Sequence, residues 1–318
     1  MGGAYQTVIL RIAAMLTLLV CWACTGIASA QGGRQVTLVL SDSTPLYLET
    51  AAAFRRELEK IGPAWRLTVQ TLTERRPGDG EDLIVAIGLR ALSTVWLEAG
   101  ATPVWSILVP RQGYEELVAM RLGGGQRRAP SALYLGQPLT RHFDLILAAL
   151  PATRKVGVLL GPSSLAQEGA LRQAAAASGV EVVYLPVRSV GEVVPSLDKL
   201  RGRVDVLLLL PDPVVVDRGT LAALMLTSYE QRLPIAAYSL PLLQAGAMLA
   251  LYASPERTGE EAARLLNASQ TGNELALPRS TYAVGFDVAV NRSVASSLDI
   301  PLPGVEALRQ RMLKRGGR

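Results

Sequence analysis

Val36-Thr-Leu-Val-Leu40 running into Ser41-Asp-Ser-Thr-Pro45, and Val156-Gly-Val-Leu-Leu160 running into Gly161-Pro-Ser-Ser164, are the stretches on which the fold turns. Each is a short run dominated by apolar residues, which suits a strand covered on both faces. Each run ends in a turn with helix-start chemistry. In the first, Thr44 stands at the N-cap with Pro45 as the first helical residue. In the second, Ser164 and Gln167 make a capping box. The first helix is expected to run to about Ile61, where Gly62-Pro63 stops it. The second is expected to reach Ser178, with Gly179 as its terminator.

Working outward, the same alternation continues. Strands are predicted at 67–71, 83–87 and 104–109, with a helix near 91–98. In the second half, strands are predicted at 180–185, 204–210 and 234–239, with a helix over about 220–232. Thr44 and Ser164 keep the 120-residue offset of Val36 and Val156, while Gly62 answers to Gly179 and Pro103 to Pro234. The fold class expected is therefore α/β, with two doubly wound parallel-sheet lobes. The tail adds a strand at 247–252, a second capping box at Thr258-Gly-Glu-Glu261, a strand at 282–286 and a helix at 287–298. Coming after a complete second lobe, these elements are expected to return to the first and recross. That gives an N-terminal lobe of 31–138 plus 241–277, a C-terminal lobe of 139–240 plus 278–318, and a hinge of three crossings.

The chain has 318 residues, 49% of them hydrophobic and 19% charged. That composition is far from disorder and supports large cores. Residues 1–30 read as an export signal: Arg11, an apolar stretch from Ile12 to Cys24, then Ala28-Ser29-Ala30 as a cleavage site. The mature chain would begin near Gln31 and work in the periplasm. Cys24 follows Cys21-Trp22-Ala23, a poor lipoprotein match. Both cysteines lie in this leader, so the mature chain is expected to hold no disulfide, no thiolate nucleophile and no cysteine metal site. Losing Arg11 lowers the formal charge from +5 to +4. No stripe of Lys/Arg interleaved with aromatics is present, so no nucleic-acid partner is expected. Arg127-Arg128 and the tail cluster Arg309, Arg311, Lys314, Arg315 and Arg318 read as solvated surface and a frayed terminus.

Ligands of open α/β sheets sit beyond the carboxyl ends of the strands. The loops there carry Ser41, Asp42, Ser43, Thr44, Gly88, Pro162, Ser163, Ser164 and Asp212. Hydroxyls and free N–H groups at helix starts suit a carboxylate or another small anion. Asp42 or Asp212 is the natural partner of an ammonium group. Tyr238 and Tyr252 suit the wall of an apolar or aromatic ligand. Each of these Ser and Thr residues reads equally well as a helix cap, and each tyrosine as partly buried core.

Enzyme chemistry is not expected. His142 is the single histidine and falls in a helix after Thr140-Arg141, where it reads as a helix-surface residue. There is no G-x-S-x-G elbow, no phosphate loop and no G-x-G-x-x-G after a strand. No catalytic residue, metal site or cofactor is assigned.

Several motifs together resemble the ABC transporter substrate-binding family that includes the TrpX-like proteins. They are Asp82-Leu-Ile-Val-Ala-Ile-Gly88, Gln137-Pro-Leu-Thr-Arg141, Leu150-Pro151 and Lys155 through Ser164. Tyr282-Ala-Val-Gly-Phe-Asp-Val-Ala-Val-Asn291 and the closing Leu298-Asp-Ile-Pro301 complete the set. The resemblance covers most of residues 35–303. It implies a type I periplasmic-binding fold, a small-molecule ligand and delivery to an inner-membrane permease. Some relatives are associated with aromatic amino acids. Carried over by position, Ser41 to Thr44, Gly88 and Pro162 to Ser164 line the cleft with Asp212 across from them. Gln137 and Tyr238 complete the candidate set. Two stretches depart from the pattern: Gly123-Gly-Gly-Gln-Arg-Arg128, and the short charged segment between residues 72 and 82. The same fold also serves periplasmic sensors that report to a membrane signalling protein, which stands as the alternative to transport.

Overall fold

The computed structural model describes residues 33–62, 65–76, 80–123, 129–271 and 274–316. The expected leader with Cys21 and Cys24, the pair Arg127-Arg128, and Arg318 lie outside the described residues.

Two six-stranded sheets organise the chain. The first contains β1 (Arg34–Leu40), β2 (Trp65–Thr71), β3 (Leu83–Ile87), β4 (Val104–Val109), β5 (Ser131–Tyr134) and β13 (Thr281–Tyr282), in the order β2-β1-β3-β4-β5-β13. All its pairings are parallel. The second contains β6 (Lys155–Leu160), β7 (Glu181–Pro186), β8 (Val206–Leu208), β9 (Ile235–Ala237), β10 (Leu249–Tyr252) and β14 (Asp287–Val290), in the order β7-β6-β8-β9-β10-β14. Only the β10–β14 pairing in this sheet is antiparallel. A small ribbon pairs β11 (Gln270–Thr271) with β12 (Glu274–Leu275).

The apolar runs become the sheet interiors. Every residue of β3 and β4 is buried. Helices cover both faces: α1 (Pro45–Ile61), α2 (Leu89–Glu98), α3 (Arg111–Gly123), α4 (Leu139–Ala149), α5 (Glu168–Ser178), α6 (Val193–Leu200), α7 (Leu221–Glu230), α8 (Leu240–Gln244), α9 (Pro255–Ala268), α10 (Arg292–Ser297) and α11 (Val305–Gly316). On α1 the buried positions include Ala51, Phe54 and Leu58, the spacing of one helix face. Gly179 closes α5 in the left-handed conformation, with φ of 75°. Among the described residues, no helix is long and apolar enough to cross a membrane.

The internal repeat extends to a shared anchor. Asp82, just before β3, accepts the Gln35 N–H at 2.7 Å and donates its own N–H to Gln35 O at 3.0 Å. Asp205, just before β8, accepts the Lys155 N–H at 2.8 Å and returns its N–H to Lys155 O at 2.9 Å. In both sheets a carboxylate thus fixes the start of the first strand to the start of the third.

Several expectations change. Residues 249–252 stay in the second sheet as β10, so the chain returns to the first lobe near 253, not at 241. The element that returns is α9, because its small residues let it lie against α1. A Cβ at Gly259 would overlap Thr50 O and come 2.8 Å from Phe54 N. At the other end, β13 joins the first sheet, so the last crossing falls between 282 and 287 and not at 278. Residues 287–290 are a strand paired with β10, and the helix starts later at Arg292, capped by the Asn291 side chain accepting from Val294 N at 3.1 Å.

Another change concerns the tail, which is helical over Val305–Gly316. Leu308 and Met312 of α11 are buried against α4. Arg311 donates to Ala148 O at 3.0 Å, and Arg315 pairs with Asp144 at 3.6 Å. His142, too, departs from expectation: it is buried, not on a helix surface. Helices α5 and α11 pack on α4, seven of whose residues, His142 among them, are buried. Burial first, and the neighbouring Arg141 second, lower its pKa to about 4.

The charged segment after β2 also has a structural role. Arg75 makes two hydrogen bonds to Glu81, at 2.6 and 2.9 Å, and reaches Glu98 at 3.5 Å, pinning this loop to the end of α2.

Candidate functional site

In each sheet the strand order reverses beside the first strand. One reversal falls between β1 and β3, the other between β6 and β8. Loops leaving the two strands in opposite directions open a crevice at such a point.

In the first lobe, Ser41 bridges the crevice. Its hydroxyl donates to Ile87 O at 2.9 Å and accepts from Ala91 N at 2.9 Å. In the second lobe, Ser164 and Asp212 do the same work. The Ser164 N–H and hydroxyl each reach Asp212 Oδ2 at 2.9 Å, and Asp212 Oδ1 accepts from Val214 N at 2.9 Å and Val215 N at 3.3 Å. Ser41, Ser164 and Asp212 are all at most 3% exposed. Their polar atoms are committed to neighbouring loops.

The remaining candidates divide by exposure. Asp42 Oδ1 accepts the Thr44 N–H at 2.9 Å and so starts α1, while the Thr44 side chain makes no cap. Ser43, Thr44, Pro162 and Ser163 are exposed. Gly88 has φ of 89°, and a Cβ there would lie 2.6 Å from Ser41 Oγ and 2.8 Å from Tyr47 Oη. Tyr238, just beyond β9, is partly buried. Burial, then the nearby Asp212 carboxylate, raises its hydroxyl pKa.

Gln137 sits in a crossing. The chain passes between the lobes at 135–138, 253–254 and 283–286, and each passage leaves one sheet at its carboxyl edge and enters the other lobe at that same edge. The two edges therefore share one gap. The third passage is clamped from both sides. Glu261 of α9 accepts the N–H groups of Val284 at 2.6 Å and Gly285 at 2.8 Å. Arg141 of α4 donates to Ala283 O at 3.0 Å and to Gln137 Oε1, and Gln137 donates to Gly285 O at 3.3 Å. Arg257 of α9 pairs with Asp287 of β14 at 3.0 Å. The guanidinium groups of Arg141 and Arg309 each lie over the Phe286 ring, 5.0 and 5.7 Å from its centroid.

Sequence reasoning missed Tyr47, and it passed over Arg90 and the clamp of Arg141, Arg257 and Glu261. Tyr47 had one available signal: it lies two residues after Pro45, in the first helical turn at a reversal point. Its hydroxyl pKa is raised by burial and then by the Asp42 carboxylate. The clamp residues had none, because the partners that make them a clamp lie 23 to 142 positions away in the chain. Two hollows lie outside the gap. One of about 360 Å³ borders Arg55 and Trp65, and one of about 570 Å³ borders Arg154, Lys155 and Arg203 at the opposite end of the second sheet. Among the described residues, no group of three His, Cys, Asp or Glu is placed to hold a metal ion.

Two parallel-sheet lobes joined at their carboxyl edges by three passages define the class of type I periplasmic-type binding proteins. Within that class the family is specific: the model for ABC transporter substrate binding proteins matches residues 135–310, and the chain belongs to that family. A tyrosine-binding protein from Clostridioides difficile strain R20291 is 22% identical over 236 residues, which are 73% of this chain and 67% of that one. The chain is also similar to a ligand-free, open substrate-binding protein with adhesive properties from Clostridium difficile. That structure has a TM-score of 0.68 at 20% identity, covering 86% of this chain and 97% of the other. A Streptococcus pneumonia ABC domain in complex with L-Trp gives 0.58 at 15% identity, covering 88% and 98%. At these identities the solved structures speak to the fold.

Proposed function

We propose that this chain is the solute-binding component of an ABC-type uptake system, which captures an amino-acid-like small molecule in the gap between its lobes and passes it, chemically unchanged, to an inner-membrane permease. The leader read in residues 1–30 would place it in the periplasm. The observation that carries the reading is the meeting of two reversal-point crevices at one gap, spanned by three passages of which the third is clamped.

The surface chemistry of the gap supports an amphipathic ligand. Leu48, Leu135, Leu165, Leu240 and Val284 are exposed on the edge loops and first helical turns. Large apolar side chains in water are costly to keep unless something covers them. Tyr47 and Tyr238 add ring surface with a polar tip. The tyrosine-binding relative and the L-Trp complex point the same way. A ligand touching both edges favours the closed arrangement by the contacts it makes only there.

The test is calorimetry of the chain lacking residues 1–30 against the twenty amino acids, nucleosides and sugars, with capture from inner membranes alongside. Saturable binding of an aromatic amino acid and recovery of a permease are expected. Recovery of a histidine kinase in its place would make the chain a sensor. Ligand turnover, or binding of none of the panel, would overturn the reading.

A further inference from the structure

Among the described residues, Arg90 and Asp42 form an oppositely charged pair at the gap that is held only loosely. Arg90, in the first turn of α2, holds its Nη1 3.9 Å from Asp42 Oδ2, across the β1/β3 reversal point. The acids nearest the passages, and the two arginines beside them, are committed. Asp212 has four donors on its two oxygens. Asp287 accepts from Arg257 and from Ser254 N. Glu261 accepts two backbone N–H groups. Arg111 is paired with Glu115 at 2.7 Å, and Arg141 with Gln137 and Ala283 O. Asp42 commits only Oδ1, to Thr44 N.

At 3.9 Å between side chains that are 74% and 40% exposed, the Arg90–Asp42 contact stabilises little by itself. It is easily opened by something that meets both charges better than they meet each other. An α-amino acid carries an ammonium and a carboxylate on one carbon, the complementary pattern at the complementary spacing. The phenol of Tyr47 feels both charges and lies close to Gly88, where a glycine leaves the space.

We infer that Asp42 and Arg90 read the zwitterionic head of the ligand: Asp42 Oδ2 takes the ammonium and the Arg90 guanidinium takes the carboxylate. The inference rests on the proposed amino-acid reading of the cleft and adds which residues enforce it. Arginine suits the carboxylate because its planar fork bonds both oxygens at once. Asp212, the other acid considered from sequence, is excluded as the ammonium partner because its lone pairs are taken by the loop it organises.

The experiment compares wild type, Asp42→Asn and Arg90→Gln by calorimetry with L-tyrosine, N-acetyl-L-tyrosine and L-tyrosine methyl ester, and the same three forms of L-tryptophan. Neither substitution removes a buried contact, and circular dichroism verifies folding. Each variant is expected to bind the free amino acid at least tenfold more weakly than wild type. The Asp42→Asn loss should vanish for the N-acetyl form, which has no ammonium. The Arg90→Gln loss should vanish for the ester, which has no carboxylate. If wild type binds the free amino acid and both variants match it, or lose affinity equally for all three forms, the headgroup assignment fails while the amino-acid reading survives. If wild type binds neither amino acid in any form, both fall together.

Discussion

The backbone N–H and the hydroxyl of Ser164 both reach one oxygen of the Asp212 carboxylate at 2.9 Å, joining the loop after β6 to the loop after β8 across the reversal point of the second sheet. The other oxygen starts the turn that follows, through Val214 N and Val215 N. Gly161 leaves room for this, since a Cβ there would collide with the Asp212 carboxylate. A buried acid so completely bonded serves the shape of the site.

Asp212→Ala is therefore expected to destabilise the protein by about 2–4 kcal/mol, because four donors, three of them buried, lose a charged acceptor. Ser164→Ala is expected to cost about 1 kcal/mol, since it removes only one of them. Chemical denaturation of the ligand-free chain measures both. The double substitution should cost less than the sum, because the two residues share a network. Full additivity would show that the loops are held by something else.

Thr44 and Ser163 present the opposite case. Both are exposed, and the Thr44 hydroxyl caps nothing. Thr44→Ala combined with Ser163→Ala should leave the empty protein's melting curve nearly unchanged, within about 0.5 kcal/mol per site, while weakening ligand binding. A large drop in empty-state stability would mean that the two hydroxyls serve the fold and not the ligand.

His142 gives the chain a dependence on acid. Folded, it stays neutral down to about pH 4; unfolded, it takes a proton near pH 6.5. Below 6.5 the unfolded state gains a proton that the native state refuses, so stability falls with pH until about 4 and is fully present above 6.5. The slope from this group approaches about 1.4 kcal/mol per pH unit inside that window. Denaturant melts of wild type and His142→Leu from pH 4 to 8 test this. The difference between the two curves should be flat above pH 7 and widen below 6.5. A constant difference would place the imidazole in water.

Glu261 holds the third passage through Val284 N and Gly285 N. Glu261→Gln keeps one acceptor oxygen and loses the charge, so amide exchange at Val284 and Gly285 should accelerate about tenfold. Exchange in the β1 and β6 interiors should not change. Unaltered rates at 284 and 285 would show that the clamp is held from the Gln137 and Arg141 side alone.

Much of the architecture was legible because strand interiors and helix ends are local chemistry. The runs at 83–87 and 104–109 match their strands end to end, and Gly62 and Gly179 stop their helices as read. Where the reading slipped, the cause was distant. Nothing near residue 250 announces that this strand pairs with Ala236 and Ala237, or that α9 will find α1. Likewise, nothing around His142 reveals that other helices will pack on α4 or that this residue will be buried.

The candidate site shows the same division. Placing polar loops at the carboxyl edges follows from sheet geometry, and Ser41, Asp42, Gly88, Ser164 and Asp212 do lie at the two reversal points. Which of them are spoken for is a matter of partners 46 to 50 residues away, such as Ile87 for Ser41 and Asp212 for Ser164. The sequence by itself determined two repeated α/β units with their loops at one kind of edge, because apolar runs, caps and glycines act over a few residues. The tertiary structure alone decided where the chain crosses, which acid is sealed and which is open, because hydrogen bonds and burial between distant segments exist only once the lobes have packed.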